Sequence, residues 1–124
     1  MKPNIVIFYV NDPTASARFY GRLFEINPIE QSPGFVMFAL SPGMMFALWK
    51  RQEVAPAVSA MPGAAELTVT VDSRDAVDIT FEKWQSDGIT ITLAPTRLDF
   101  GYGFAARDLD GHVVRVFTPG SADS

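Results

Sequence analysis

The sequence predicts an α+β fold in which two βαβββ modules form one concave, cup-shaped mixed sheet. Three observations predict it. Each half of the chain opens with a β-branched strand that runs into a capped helix. Each half then continues with three more strand patterns, and the turn before its last strand ends in a glycine, Gly43 or Gly111. Each module would have one apolar sheet face to cover, so we expect the modules to curve together, within one chain or exchanged between two chains.

The first half begins with a strand over Ile5–Val10, an apolar run without polar alternation that is typical of a strand covered on both faces. Asp12 is the expected N-cap of the next helix, with Pro13 at the first helical position, where its missing N–H costs nothing. The predicted elements after this cap are a helix over about 14–24, an edge strand over 26–30 and a hairpin with arms 35–40 and 44–49.

The stretch 51–63 is predicted to link the two halves. It contains Pro56, Pro62 and Gly63 and has no clear hydrophobic period. We therefore interpret 1–124 as one domain made of two modules, at about 1–55 and 64–124.

The second half repeats the plan of the first. A strand over Glu66–Val71 ends at Asp72-Ser73, and we expect an Asp-capped helix after it. The elements predicted next are a helix over about 74–87, a strand over 89–93, a polar loop over 94–100, a hairpin with arms 101–106 and 112–117, and a frayed tail over 119–124.

The composition excludes several classes of function. The chain has 124 residues, a net charge of −4 and scattered Lys and Arg residues, which argues against nucleic acid as a partner. No apolar run approaches the length of a membrane span of roughly 20 residues. The chain has no cysteine, so disulfides, thiol nucleophiles and thiolate metal sites are excluded. We expect a cytoplasmic protein, because no signal-peptide pattern precedes the first strand.

Arg115 is the one charge within the last predicted strand. It shares strand parity with Val113 and Phe117, so the three side chains should point to one face of the sheet. A guanidinium among such neighbours needs a partner, because an unpaired buried charge is very costly. His112, the only histidine, has the opposite parity and is predicted to stabilise the turn and not to act as a general base.

Three features resemble the vicinal oxygen chelate superfamily, which includes glyoxalases, extradiol dioxygenases, fosfomycin-resistance enzymes and bleomycin-resistance proteins. The first is a strand, an Asp and a helix ending in Phe19-Tyr20. The second is the turn Asp108-Leu109-Asp110-Gly111-His112, with Leu where the family usually has Pro. The third is the duplicated βαβββ order. The resemblance covers nearly the whole chain and implies the glyoxalase/bleomycin resistance fold, but it says little about the substrate.

The resemblance also indicates which positions would bind a metal. Metal-dependent members place one ligand near the start of each module's first strand and one on each module's last strand. The matching positions in this sequence are Ile5, Ala47, Glu66 and Arg115. Isoleucine and alanine offer no ligand atom, arginine repels a cation, and Glu66 alone does not make a site, so these departures from the family's pattern imply no metal and no cofactor.

The same positions suggest a partner for Arg115. Glu66 and Arg115 would converge in the cup as a buried, charge-assisted pair where related enzymes hold the metal. In the alternative, Glu66 lies in water at the mouth of the strand and Arg115 bonds another acid or a backbone carbonyl.

Within the superfamily, the sequence is similar to a phenazine-antibiotic resistance class of non-enzymatic drug binders. Strand parity places apolar and polar side chains on the same face as the positions that match the metal ligands of related enzymes. Trp49 on this face is predicted to stack on a ligand. Tyr102 and Phe104 are expected at a lid or pocket edge beside the last hairpin. The predicted ligand-binding residues are Ile7, Tyr9, Met45, Trp49, Glu66, Thr68, Tyr102, Phe104, Arg115 and Phe117.

The first functional hypothesis is therefore a metal-independent protein, without catalytic residues, that sequesters a planar aromatic compound such as a phenazine-like antibiotic. The resemblance favours a homodimer with two sites. The rival hypothesis is an enzyme: a glyoxalase-type lyase or isomerase with relocated metal ligands, or a metal-free variant that uses Glu66 as a base. A third is a small regulatory or interaction domain.

Overall fold

The structure is a computed structural model that describes residues 1–120. The chain forms two compact units, Met1–Ala60 and Met61–Ser124. Each unit contains one helix and one four-stranded sheet with both parallel and antiparallel pairs. The predicted α+β class and the repeated βαβββ order are confirmed, while the single-domain organisation stays a prediction.

In the sheet of the first unit, the strand that comes last in the sequence lies beside the strand that comes first. Its elements are β1 (Ile5–Val10), α1 (Pro13–Phe24), β2 (Glu30–Ser32), β3 (Phe35–Ser41) and β4 (Met44–Lys50), followed by a 3-10 turn at Arg51–Glu53. The strand order is β1-β4-β3-β2, with β1 and β4 parallel and the other pairs antiparallel. Every second residue of each strand therefore points to the same face of this sheet.

Helix α1 is capped at both ends. The Asp12 carboxylate accepts the N–H groups of Thr14 and Ala15 at 3.1 and 3.3 Å, and Pro13 opens the helix, as predicted. At the other end Glu25 adopts a left-handed conformation and donates its N–H to the Gly21 carbonyl.

The core of the first unit lies between α1 and one face of its sheet. Phe46 on β4 is fully buried, with its ring centroid 4.8 Å from Tyr20 of α1 and 5.2 Å from Phe8 of β1. Phe38 stacks beside it at 6.5 Å and is also fully buried. The centre of this helix-covered face of the first sheet is thus filled by aromatic rings.

The second unit repeats this arrangement. Its elements are β5 (Glu66–Thr70), α2 (Arg74–Ser86), β6 (Thr90–Leu98), β7 (Gly101–Arg107) and β8 (Val113–Pro119), in the sheet order β5-β8-β7-β6. Trp84 and Phe81 of α2 pack edge-on against Phe104 of β7, at 5.3 and 5.5 Å between ring centroids. The helix-covered face of the second sheet is therefore also an aromatic core.

Two predicted strand boundaries are wrong. The edge strand expected over 26–30 is β2 at Glu30–Ser32, because the Ile26 N–H still bonds the Gly21 carbonyl at the end of α1 and ladder pairing begins at Glu30. The loop expected over 94–100 is largely strand, since β6 continues to Leu98. Irregular register between Leu93 and Thr96 accommodates Pro95, which has no N–H for the ladder.

The predicted aspartate cap of the second helix is also wrong. The Ser73 hydroxyl accepts the Ala76 N–H at 3.1 Å, so Ser73, and not Asp72, caps α2. At the end of the chain, Pro119 closes β8 and is not part of a tail. The rest of the predicted tail, beyond Gly120, lies outside the described residues.

Candidate functional site

The helix-free face of the first sheet, opposite α1, carries a row of three rings. Tyr9, Trp49 and Phe35 are direct neighbours across β1, β4 and β3. The Trp49 ring centroid lies 6.2 Å from Tyr9 at an interplanar angle of 69°, and 6.4 Å from Phe35 at 76°. These edge-to-face contacts fix the indole from both sides. All three side chains are half-buried, so part of the aromatic surface is accessible.

The predicted shared face of the first module is confirmed by this register. Ile5 pairs with Met45 and Ile7 pairs with Ala47, so these residues project to the same face as Trp49. Ile7 is 38% exposed, whereas Ala47 is fully buried between its neighbours. Strand β3 places Phe35 and Met37 on this face as well. Neither was predicted to lie there, although the spacing of the hairpin arms could have identified them.

The helix-free face of the second sheet carries the predicted ion pair, so its formation is confirmed. Arg115 donates from Nε to Glu66 Oε2 at 2.7 Å and from Nη2 to Oε1 at 3.1 Å, a bidentate arrangement. Thr68 donates its hydroxyl to Glu66 Oε2 at 2.7 Å. Parallel pairing of β5 with β8 sets this geometry, because it places Thr68 directly beside Arg115.

The expected burial of this pair is wrong. The side chains of Arg115 and Glu66 are 19% and 34% exposed, so water screens their attraction. The hydrogen bonds from Arg115 still lower the pKa of the Glu66 carboxyl, and the same bonds raise the pKa of the Arg115 guanidinium. Both groups are therefore charged near neutral pH, and Glu66 is a weak base.

We expect a double-mutant cycle with Glu66→Gln and Arg115→Met to give a coupling free energy of about 1 kcal/mol at pH 7. The folded state holds the pKa of Glu66 below its unfolded value of about 4.3, so this stabilisation is present above that pH. It should be lost as the pH falls through the folded pKa of Glu66. Urea unfolding between pH 7 and pH 3 measures the change.

A matched cycle with Lys83→Met and Asp87→Asn provides the control, because that pair spans one exposed turn of α2 at 3.2 Å. It should give a coupling of about 0.3 kcal/mol. Equal coupling in the two cycles would contradict a specific role for the bidentate geometry.

The expected placement of Tyr102 and Phe104 at a pocket edge is wrong. Both lie on β7 and point to the helix-covered face. Phe104 is fully buried beneath α2, and the Tyr102 hydroxyl donates to Asp78 Oδ1 at 2.6 Å, which raises the pKa of the phenol. Parity relative to Arg115 would have shown this, since Ala105 is the residue of β7 that lies opposite Arg115.

Phe117 lies on the helix-free face, as predicted, in register with Thr70 and Gly103. Its partner is Phe100, whose ring meets it edge-on at 5.1 Å and is 51% exposed. Phe100 was predicted to lie in a polar loop over 94–100, and it lies in the turn between β6 and β7. Its exposed ring lies beside Phe117 on a face that also carries Glu66, Thr68 and Arg115.

The Asp108 turn holds the start of β8. Asp108 is 2% exposed, and its Oδ1 accepts the N–H groups of Asp110, Gly111 and His112 at 2.8 to 2.9 Å. The Asp108 N–H in turn bonds the His112 carbonyl at 2.9 Å. The predicted turn is therefore confirmed, and it anchors the strand that presents Arg115.

The family's metal does not fit the matched positions. Ile5 and Ala47 supply no ligand atom, and the guanidinium of Arg115 already engages the Glu66 carboxylate. Within residues 1–120, no three His, Asp or Glu side chains are grouped so that they could hold a metal ion. None of the helices in the same range is both long enough and apolar enough to cross a membrane.

Comparisons with known proteins agree with this architecture. The family model for the glyoxalase/bleomycin resistance protein/dioxygenase superfamily matches residues 2–116. The phenazine antibiotic resistance protein EhpR of Enterobacter agglomerans is 31% identical over 117 residues, which span 92% of this chain and 89% of that protein.

Two solved structures are also similar. Protein ATC0852 from Agrobacterium tumefaciens superposes with a TM-score of 0.85 at 36% identity, covering 98% of this chain and 99% of that one. A glyoxalase-related enzyme from Fulvimarina pelagi gives 0.82 at 25% identity, covering 99% and 94%. The chain therefore belongs to the glyoxalase/bleomycin resistance protein/dioxygenase superfamily.

Proposed function

We propose that this protein confers resistance to a planar aromatic compound, such as a phenazine-like antibiotic, by binding it stoichiometrically without turnover. The observation that carries the proposal is the Trp49 indole, held edge-on between Tyr9 and Phe35 on the helix-free face of the first sheet. A flat ligand gains most from a ring that is already fixed, because stacking then costs little side-chain entropy. Ile7 and Met45 extend the apolar surface beside it.

The helix-free face of the second sheet, taken by itself, carries polar groups that can bond a ligand. Glu66 and Arg115 neutralise each other, so this pair presents hydrogen-bonding capacity without a net charge. Arg115 uses Nε and Nη2 for Glu66, which leaves its Nη1 hydrogens for an acceptor on a ligand. Thr68 and the exposed ring of Phe100 lie on the same unit. The similarity to EhpR supports the class of ligand.

A binding role also agrees with the chemistry that these residues can perform. A general base works best with a pKa near the operating pH, whereas Arg115 lowers the pKa of Glu66. The positions that bind metal in related enzymes offer no second ligand beside Glu66. Homodimer formation and a cytoplasmic location remain predictions of the sequence, and the first can be tested by the molar mass in solution.

We expect titration with phenazine to quench the fluorescence of Trp49 and to saturate at a fixed stoichiometry. Trp49→Ala should weaken binding about tenfold or more, since loss of one aromatic stacking partner costs roughly 1–3 kcal/mol. Trp49→Phe keeps a ring and should recover part of the affinity. Trp84→Phe is the control, because Trp84 is 5% exposed and packs against Phe104 beneath α2.

Three results would overturn the proposal. The first is a dissociation constant for Trp49→Ala within twofold of the parent value. The second is conversion of phenazine to a product. The third is stoichiometric zinc, nickel or iron in the purified protein that is lost in Glu66→Gln. Mass spectrometry of the recovered ligand and elemental analysis of the protein distinguish these outcomes.

A further inference from the structure

A cavity of about 580 Å³ lies in the first unit, between α1 and the segment that leads into β2. Its volume falls within the range of roughly 300–1,000 Å³ that is usual for small-molecule sites. Gln31 of β2 pairs with Val36 and so points to the helix-covered face, whereas Phe35 and Trp49 point to the opposite face. The cavity is therefore separated from the aromatic row by the sheet itself.

The cavity has an apolar floor and a polar rim. Ala17 and Gly21 of α1 form the floor together with Ile26 and Pro28. The rim carries two arginines and two amides: Arg18, Arg22, Asn27 and Gln31. A Cβ at position 21 would come within 3.1 Å of the Ile26 carbonyl oxygen, so the glycine lets the segment run close to the helix.

The two arginines set the charge of this cavity. Arg18 and Arg22 are four residues apart, so they project from the same side of α1, where like charges repel. In the part of the chain that the structure describes, neither forms an ion pair, unlike Lys83 with Asp87 and Arg115 with Glu66. Two uncompensated guanidinium groups stand out in a chain that carries 14 acidic and 10 basic side chains.

We propose that this cavity is a second binding site, which takes a carboxylate with an apolar body. Two guanidinium groups on one side of a helix can bind an oxyanion through paired N–H donors, and the anion would relieve their repulsion. The amides of Asn27 and Gln31 provide further donors at the rim. The floor of Ala17, Gly21, Ile26 and Pro28 accommodates the apolar body, which inorganic anions lack.

The test uses 2-naphthoate, 2-naphthamide and inorganic phosphate as probes of the full-length protein, followed by amide chemical shifts. We expect 2-naphthoate to shift amides within 14–31 and to bind about tenfold more tightly than the uncharged amide, as an ion-paired site requires. Raising the salt concentration should reduce this difference, because the guanidinium groups are exposed. Phosphate should bind much more weakly than 2-naphthoate.

The double variant Arg18→Gln, Arg22→Gln should lose the preference for 2-naphthoate, and Gln31→Glu should weaken binding by placing a carboxylate at the rim. Arg97→Gln, at an exposed position on β6, is the matched control and should bind as the parent does. Chemical-shift changes at Trp49 that persist in the double variant would come from ligand bound at the aromatic face. The proposal is supported if the changes within 14–31 are lost in the same variant.

The proposal would be overturned by unchanged 14–31 shifts in a folded double variant, by equal affinity for 2-naphthoate and 2-naphthamide, or by phosphate binding as tightly as 2-naphthoate. Amide spectra of each variant without ligand show whether it is folded.

Discussion

Asp108→Ala is expected to destabilise the protein by about 3 kcal/mol, because it leaves three backbone N–H groups without their charged acceptor. The carboxylate is 2% exposed and bonds Asp110, Gly111 and His112 at 2.8 to 2.9 Å. Its loss frees the turn that begins β8, so the effect should reach the strand that carries Arg115. Urea unfolding measures the loss, and a fall in melting temperature of about 10 °C should accompany it.

Asp108→Asn is the matched variant. Its side-chain oxygen can still accept the same N–H groups, so we expect a loss of about 1 kcal/mol, from the charge alone. Leu109→Ala, at a position that is 58% exposed in the same turn, should change stability by less than about 0.5 kcal/mol. Hydrogen exchange of the Gly111 and His112 amides provides a local measurement. Equal stabilities of the Ala and Asn variants would show that the carboxylate bonds contribute little.

The second large effect is expected for Phe46→Ala. This substitution should lower the free energy of unfolding by about 4 kcal/mol, because it removes buried apolar surface and leaves a cavity in the aromatic core. Phe46 is fully buried, and its ring contacts Tyr20 at 4.8 Å, Phe8 at 5.2 Å and Phe38 at 6.5 Å between centroids. Every side of the ring therefore loses a partner. Phe46→Leu fills part of the space and should cost about 1.5 kcal/mol.

Met45→Ala is the control, because Met45 is the preceding residue of β4 and points to the helix-free face. It should cost less than about 1 kcal/mol, since Met45 is only half-buried. Unfolding of the three variants in urea gives the comparison. A loss at Met45 as large as that at Phe46 would contradict the assignment of α1 to the Phe46 face.

The fold and the ion pair were accessible from the sequence for physical reasons. Strand parity put Arg115 on the face that Val113 and Phe117 share, and the family resemblance, which matches Glu66 and Arg115 to two metal-ligand positions, suggested that their side chains meet. Asp12 and Asp108 acted through local hydrogen bonds, which depend on residues no more than four positions away. Such local hydrogen bonds can be predicted without knowing the contacts between residues that are distant in sequence.

The wrong predictions concern residues whose position depends on contacts with parts of the chain that are distant in sequence. Pro95 and the polar residues of 94–100 resemble a loop, but pairing with β7 holds 94–98 in β6. Tyr102 and Phe104 were expected beside the site because an aromatic residue near a loop suggests a lid, yet contacts with Asp78 and Trp84 of α2 place them in the core. The exposure of the pair was also missed, since the interpretation that paired Glu66 with Arg115 placed both side chains in a closed cup.

The sheet order has a consequence for synthesis on the ribosome. The first sheet has all four strands once residue 50 has left the exit tunnel, because β1 pairs with β4. In the second sheet, β8 lies between β5 and β7, so neither neighbour can complete its pairing until residues 113–117 emerge. A nascent chain that stops before Val113 would carry two strands with unpaired edges, the state most prone to join other chains.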